Sequence, residues 1–535
     1  MVEIEILERN RIKLLERLEA TNSQAQQNKL GQFATPPPLA SEIVDYALSL
    51  LQPNLLIRYL EPGFGTGPFY SALLSKVSEN VVRAVGYEID PYYANPVREI
   101  WKGLGLQLYV GDFTAAIPPQ GDNDKFNLVI CNPPYVRHHH LSLLQKQQLQ
   151  ASLARYINIK LNGLSGLYTY FMLLSQAWMA VDGIGVWLVP SEFMDVNYGS
   201  KVKEFLLKRV TLLRIHRFDP YEVQFSDALV SSAIVVFKNC PPYKKQRVQF
   251  SFGGTLLKPL KSESVDIEVL DRSRKWSPFP RCLTKQTEKQ DTNTLGELFF
   301  IKRGIATGCN SFFIITKQRA NELNLPKRFL IPILPSPREL DEDYINANEN
   351  GDPQIIHQLF LISCDLTGTH IQWEYPNLWE YFQKGFEQGI SERYLCKHRT
   401  PWYSQEIRLP APFLCTYMGR SKFKSKSPFR FIINASKAVA PNVYLMLYPK
   451  PILESWLDGD QRLYNSVWKA LCSITAEKLI GEGRIYGGGL YKLEPKELAN
   501  VPAEIVLDAL KSEKEFKLTK QLELFSGQST KKEYL

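Results

Sequence analysis

The chain has 535 residues and a formal net charge of +9, too long for one hydrophobic core, so two or three domains are expected. No apolar run nears the ~18 residues of a membrane span, and the acidic start Met1-Val2-Glu3-Ile4-Glu5 is not a signal peptide. Eight cysteines without a C-x-x-C pair, and seven histidines without ligand spacing, argue against structural zinc and for reduced thiols in a cytoplasmic protein. The modest basic excess points toward nucleic acid, but solubility alone explains it equally well.

In chain order, residues 1–28 carry Ile4, Leu7, Ile12, Leu15 and Leu18 at near-helical spacing among charges, a surface helix with no visible chemistry. Residues 29–240 alternate helical and strand patterns, which predicts a mostly parallel, doubly wound α/β sheet. Tyr59-Leu60-Glu61-Pro62-Gly63-Phe64-Gly65-Thr66-Gly67-Pro68 reads as a strand end, a glycine turn and a helix start. Glycines let backbone approach a ligand closely, and the helix start favours a negative group such as a carboxylate. Val85-Gly86-Tyr87-Glu88-Ile89-Asp90 is a second strand ending in an acid, placed to meet the two hydroxyls of a ribose. Leu108-Tyr109-Val110-Gly111-Asp112-Phe113 ends in an acid that can accept from an adenine amino group and a ring that can stack on it.

The run Phe126-Asn127-Leu128-Val129-Ile130-Cys131 is a buried strand halted by Asn132-Pro133-Pro134-Tyr135. The Asn132 amide oxygen and the Pro133 carbonyl, held side by side, can accept both hydrogens of an exocyclic amine, while Tyr135 can stack on its ring. Cys131 should point into the sheet, because neighbouring strand residues face opposite ways. His138-His139-His140 follows directly, and adjacent positions cannot converge on one ion, so a DNA-facing or structural loop is expected. A buried helix over 167–180 and a strand over 184–190 come next. Residues 228–237 are the last strong strand, and Asn239-Cys240-Pro241-Pro242 marks a boundary. Residues 241–291 read as a connector with short strands, 292–505 as a second, mixed domain, and 506–535 as a charged tail.

The four ordered strand ends resemble those of S-adenosylmethionine-dependent DNA adenine-N6 methyltransferases of type II restriction–modification systems. In that group the cofactor motifs precede the catalytic motif and a target-recognition region follows. Lys29-Leu30-Gly31-Gln32-Phe33-Ala34-Thr35-Pro36-Pro37 and Gly185-Val186-Trp187-Leu188-Val189-Pro190-Ser191-Glu192-Phe193 extend the resemblance. Lys302-Arg303-Gly304-Ile305-Ala306-Thr307-Gly308 and Gly487-Gly488-Gly489-Leu490-Tyr491-Lys492-Leu493 carry it, more loosely, into the second half. It implies a Rossmann-like methyltransferase sheet followed by an α+β target-recognition domain, with S-adenosylmethionine as cofactor and no metal. Thr35 (toward the methionine end), Glu61, Gly63, Gly65, Glu88, Asp112 and Phe113 are the implied cofactor residues. Asn132, Pro133 and Tyr135 are the implied catalytic residues, with Tyr198 as the second aromatic face and Phe193 as its rival. Lys302, Arg303, Arg420, Arg484 and Lys492, beside glycines, are the candidate DNA contacts.

The implied partners are double-stranded DNA, whose target adenine must be flipped out, and a separately encoded cognate endonuclease; a monomer without membrane attachment is expected. Release-factor glutamine and rRNA base methyltransferases resemble the same Asn-Pro-Pro-Tyr site. A cytosine-N4 enzyme usually has Ser in place of Asn132. A non-catalytic DNA-binding module is the alternative from another class, and no nuclease carboxylate–lysine cluster is visible.

Overall fold

The computed structural model describes residues 2–21, 31–219, 231–280, 293–420, 427–486 and 489–513. It divides into two compact units, one formed by residues 1–285 with 486–488, the other by 286–485 and 489–535. Among the described residues, no helix is long and apolar enough to cross a membrane.

The first unit is built on a nine-stranded sheet. Its strands are β1 (Ile57–Glu61), β2 (Val81–Glu88), β3 (Leu106–Val110), β4 (Phe126–Cys131) and β5 (Met179–Pro190), then β6 (Thr211–Arg217), β7 (Ser232–Lys238), β8 (Arg247–Gly254) and β9 (Pro259–Asp266). Their spatial order is β3-β2-β1-β4-β5-β7-β6-β8-β9. The first five run parallel, and both faces of β4 are buried at every residue, as a continuous apolar run requires. β7 is antiparallel to β5 and β6, β8 is parallel to β6, and β9 closes the edge antiparallel to β8. From β1 the chain winds outward through β2 to β3, then returns to the other side of β1 as β4. β1 and β4 therefore flank the point where the winding reverses, the place where ligands bind in open α/β sheets.

The boundary expected at 239–242 is not where the sheet stops. Val248 and Phe250 are fully buried in β8, and Trp276 (0 % exposed) and Phe279 pack on Phe250 at 6.2 and 5.4 Å. β8 needs only one apolar face, so its signal is a short alternation that the surrounding lysines and arginines hide. The strand expected at 184–190 begins at Met179, and residues 228–230 of the next one lie outside the described residues.

Helix α1 (Val2–Thr21) buries Leu14, Leu18 and also Arg11 against this unit, so it is not merely a surface helix. α2 (Pro37–Ser49), α3 (Pro68–Val77) and α4 (Pro91–Ile100) each begin with proline in the first turn, where the missing N–H costs nothing.

The second unit is α+β. Strands β10 (Phe299–Arg303), β13 (Tyr344–Ile345), β15 (Phe413–Thr416), β17 (Phe431–Asn434) and β18 (Tyr444–Pro449) form a five-stranded sheet in the order β10-β18-β15-β17-β13. The helix Gln461–Cys472 buries Leu463, Val467, Ala470 and Leu471 in the core of that sheet. A second core gathers Phe312, Phe313, Phe382 and Tyr403 beside a three-stranded sheet of β11 (Ile314–Thr316), β14 (Leu359–Ile362) and β12 (Leu330–Ile333). A third sheet orders β16 (Met418–Arg420), β20 (Leu490–Lys492) and β19 (Arg484–Tyr486).

Candidate active site

The glycine turn after β1 and the Asn-Pro-Pro-Tyr segment after β4 meet at the winding reversal. A Cβ on Gly63 would lie 3.5 Å from both the Asn132 carbonyl oxygen and the Cys131 Sγ. Cys131 is fully buried, as is every residue of β4, and its Sγ lies against the Gly63 turn, so its burial is not a result of strand alternation. Gly65 has φ +53°, and a Cβ there would meet nothing within 4 Å, so the turn presents bare backbone to open space. Gly67, at φ +79°, caps α3 and lies so close to the Phe64 ring that a Cβ would stand 2.6 Å from it.

Glu88, at the end of β2, accepts from the backbone N–H of Gly65 and of Asp90, both at 2.9 Å. Burial raises its pKa, and those two N–H groups work in the opposite direction. Asp112 is exposed, with one oxygen capping the turn at Thr114. Phe113 is 2 % exposed and packs among Tyr87, Phe171 and Trp178 at 5.3–5.6 Å. Its ring is thus a wall element rather than a free stacking face. Glu61 is also buried, accepting from the Tyr59 hydroxyl at 2.7 Å, and burial drives its pKa well up.

Asn132 carries the most informative arrangement. Its Nδ2 donates to the Phe33 carbonyl at 2.9 Å and to the Thr35 Oγ1 at 3.1 Å. A carbonyl can only accept, so the amide has one orientation and Oδ1 must face the other way. That Oδ1 is buried and has no hydrogen-bond partner. A buried acceptor left without a partner costs about 1–3 kcal/mol, and this one is open to a donor from a ligand or from water.

Residues 31–35 hold this geometry. The Tyr135 N–H donates to the Gly31 carbonyl at 3.0 Å, and Phe33 sits 5.5 Å from the Tyr135 ring. Thr35 therefore holds the Asn132 amide, a contact with no local signal in the sequence; Lys29 and Leu30 lie outside the described residues. Gly31 has φ +65°, and a Cβ would fall 2.6 Å from the Tyr135 backbone N. Gly31→Ala is expected to push the Asn-Pro-Pro-Tyr segment out of place. Turnover should fall about tenfold or more, consistent with the sensitivity of catalysis to small misplacements, while donor affinity measured by calorimetry stays nearly unchanged.

Tyr135 is 9 % exposed, and its hydroxyl donates to the Leu188 carbonyl at 3.1 Å. Tyr198 is half-buried, donates to Glu192, and lies 3.5 Å from the Tyr168 hydroxyl. Phe193 is fully buried and has no face to offer a base, which leaves Tyr198 as the available aromatic of the two. Tyr168, buried beside it, went unnoticed in sequence because it sits inside a helix of apolar residues.

Comparison with known proteins fits this geometry. Residues 94–224 match the Eco57I restriction-modification methylase model, and residues 280–530 match the C-terminal domain of type II methyltransferase M.Eco57I. The chain belongs to this family of type II restriction–modification methyltransferases. It is 28 % identical to type II methyltransferase M.AccI of Acinetobacter calcoaceticus, over 89 % of this chain and 85 % of that protein. It is 27 % identical to M.XamI of Xanthomonas campestris pv. amaranthicola, over 88 % and 84 %. The structure of the type IIL restriction-modification enzyme MmeI, solved in complex with DNA, shares the fold with a TM-score of 0.51. That likeness covers 94 % of this chain and 75 % of MmeI at 12 % identity.

The methyltransferase uses S-adenosylmethionine as its cofactor. The open backbone at Gly65 and the carboxylates of Glu88 and Asp112 on neighbouring strand ends suit a ligand with a ribose and an amino group. Among the described residues, no group of His, Cys, Asp and Glu could hold a metal ion.

The candidate DNA-contact residues behave unequally. Arg420, Arg484 and Lys492 fall on the three strands of one sheet, β16, β19 and β20. Arg484 pairs with Glu497 at 2.7 Å and Lys492 with Glu494 at 2.9 Å. Arg303 lies over the Tyr417 ring at 4.1 Å and donates to the Asn442 carbonyl at 2.9 Å, and Lys492 sits at 5.0 Å from the same ring. Arg484 and Lys492 are committed to ion pairs within the fold, whereas Lys302, Arg303 and Arg420 are exposed, Arg303 while lying over the Tyr417 ring. Gly487 and Gly488 lie outside the described residues.

Proposed function

We propose that this methyltransferase methylates N6 of adenine at a specific site in duplex DNA and so protects that site from a separately encoded endonuclease. The observation that carries this reading is the Asn132 amide, oriented by Phe33 and Thr35 with its buried Oδ1 unpartnered. Adenine N6 is a poor nucleophile because its lone pair is delocalised into the ring. Accepting one N6 hydrogen at Asn132 Oδ1 and the other at the Pro133 carbonyl draws the nitrogen toward a tetrahedral, nucleophilic shape. This stabilises charge that develops only in the transition state. S-adenosylmethionine supplies the electrophilic methyl group. The extra proton on N6 then leaves to water, so no covalent enzyme intermediate and no catalytic cysteine is required.

A base inside a duplex cannot reach this acceptor, so the adenine is flipped out at a cost of a few kcal/mol. Aromatic contact with Tyr135 and Tyr198, worth about 1–3 kcal/mol per stacked base, offsets much of that. Lys302 and Arg420, exposed in the structure, are the proposed contacts to DNA; Arg303, also exposed, is held over the Tyr417 ring, and Arg484 and Lys492 are held in ion pairs. The chain acts as a monomer in the cytoplasm.

Single-molecule sequencing of DNA from cells expressing the chain tests the proposal. N6-methyladenine at one recurring motif is the expected result. N4-methylcytosine at such a motif, or unmodified DNA alongside methylated protein or rRNA, would replace the reading.

A further inference from the structure

The residue pattern of α1 hides a charged group where an apolar one is expected. Leu7, Arg11, Leu14 and Leu18 recur at helical spacing along one stripe, and Arg11 on that stripe is 1 % exposed. Each nitrogen of its guanidinium donates a hydrogen bond. Nε and Nη2 donate to the two carboxylate oxygens of Glu8, at 2.7 and 2.6 Å. Nη1 donates to the Thr66 Oγ1 at 3.0 Å, fifty-five residues away in the glycine turn. Glu8 in turn accepts from the Ser71 hydroxyl in α3. The Trp101 indole N–H donates to the Thr66 carbonyl at 3.2 Å, so Thr66 is gripped on both sides, between Gly65 and Gly67 with their positive φ. The Arg11 charge also acts on Glu61, where it opposes the upward pull of burial on the carboxyl pKa.

We propose that Arg11 of α1 is a positioning residue of the cofactor site, which fixes the glycine turn through Thr66. The proposal rests on the reading that this turn and Glu88 bind S-adenosylmethionine. A buried ion pair is weak evidence of a purely stabilising role, because apolar residues of like volume often fold as well or better. A pair that clamps a ligand-binding turn has another reason to exist. The guanidinium fork satisfies a carboxylate and a hydroxyl at once, which a lysine cannot reproduce in the same geometry.

The test is calorimetric titration of S-adenosylmethionine into full-length variants, with steady-state kinetics on DNA. Arg11→Met is expected to weaken cofactor affinity roughly tenfold or more, the scale of one hydrogen bond from a charged donor, and to leave the KM for DNA within about twofold. Thr66→Val should give a similar loss, and the double variant should be no worse than either, since both remove the same contact. Arg11→Met paired with Glu8→Leu removes the ion pair without stranding a carboxylate and should bind cofactor as weakly as Arg11→Met. Leu14→Ala, which thins the same helix stripe, should lower the melting temperature without moving cofactor affinity. Leu14→Ala weakening the cofactor as much as Arg11→Met would overturn the proposal, because α1 would then act only through stability. It also fails if Arg11→Met binds normally while Glu88→Ala binds poorly. Normal binding by Glu88→Ala as well would instead remove the underlying assignment of the turn.

Discussion

Asn132→Ala is expected to lower methyl transfer by at least about 100- to 1,000-fold, the range seen when one preorganised transition-state contact is removed. The loss should fall on kcat rather than on the KM for either substrate, because the Oδ1 contact strengthens only as the amine becomes tetrahedral. Stability should change little or improve. Truncation deletes a buried oxygen with no partner, although it frees the Phe33 carbonyl and Thr35 hydroxyl that the amide had satisfied. Asn132→Asp makes the sharper comparison. It keeps the size and an acceptor, but its ionised form puts an oxygen against the Phe33 carbonyl where a donor stood, so it should fold less stably and remain slow. Rapid-quench turnover on a methyl-acceptor duplex, beside calorimetric titration of S-adenosylmethionine, reads both effects. Near-normal turnover by Asn132→Ala would remove the amine-activation mechanism.

Much of the first unit was legible because its chemistry sits on strand ends. A buried parallel strand writes itself as an apolar run, and the glycines, acids and Asn-Pro-Pro-Tyr that follow cannot be mistaken for core. Contacts made by residues distant in sequence were not legible. Nothing local to Thr35 says that its hydroxyl will meet an amide ninety-seven positions on. Arg11 was visible only as an exception to the apolar stripe of α1, and reading that stripe as Ile4, Leu7, Ile12, Leu15 and Leu18 passed over it. The basic residues of the second unit have intramolecular contacts that their sequence spacing does not show. They stand beside glycines, where a basic side chain can approach DNA, and in the fold Arg303 and Lys492 lie over Tyr417 while Arg484 and Lys492 pair with glutamates. Sequence spacing gives no measure of such pairing.

The sheet's extension past residue 240 decides where the chain can be cut. A chain ending at Cys240 would lose β8 and β9 and with them the burial of Val248, Phe250, Leu256, Val265, Leu270, Trp276 and Phe279. It would also leave β6 without its partner β8 and expose a new sheet edge. The apolar residues left behind would lose the cover that those side chains give them, in a domain whose whole stability is about 5–15 kcal/mol. That chain should be unfolded or aggregated. A chain ending at Pro280 keeps all nine strands, Trp276 and Phe279, and is expected to melt cooperatively and bind S-adenosylmethionine. If residues 292–505 carry target recognition, as the family resemblance implies, it should have lost methylation of the specific site. Circular dichroism melting, cofactor calorimetry and methylation mapping on the two truncations together separate folding from recognition. A folded chain ending at Cys240 would mean that β8 and β9 are accessory to the sheet. A chain ending at Pro280 that still methylates the full-length site would place recognition within the first unit.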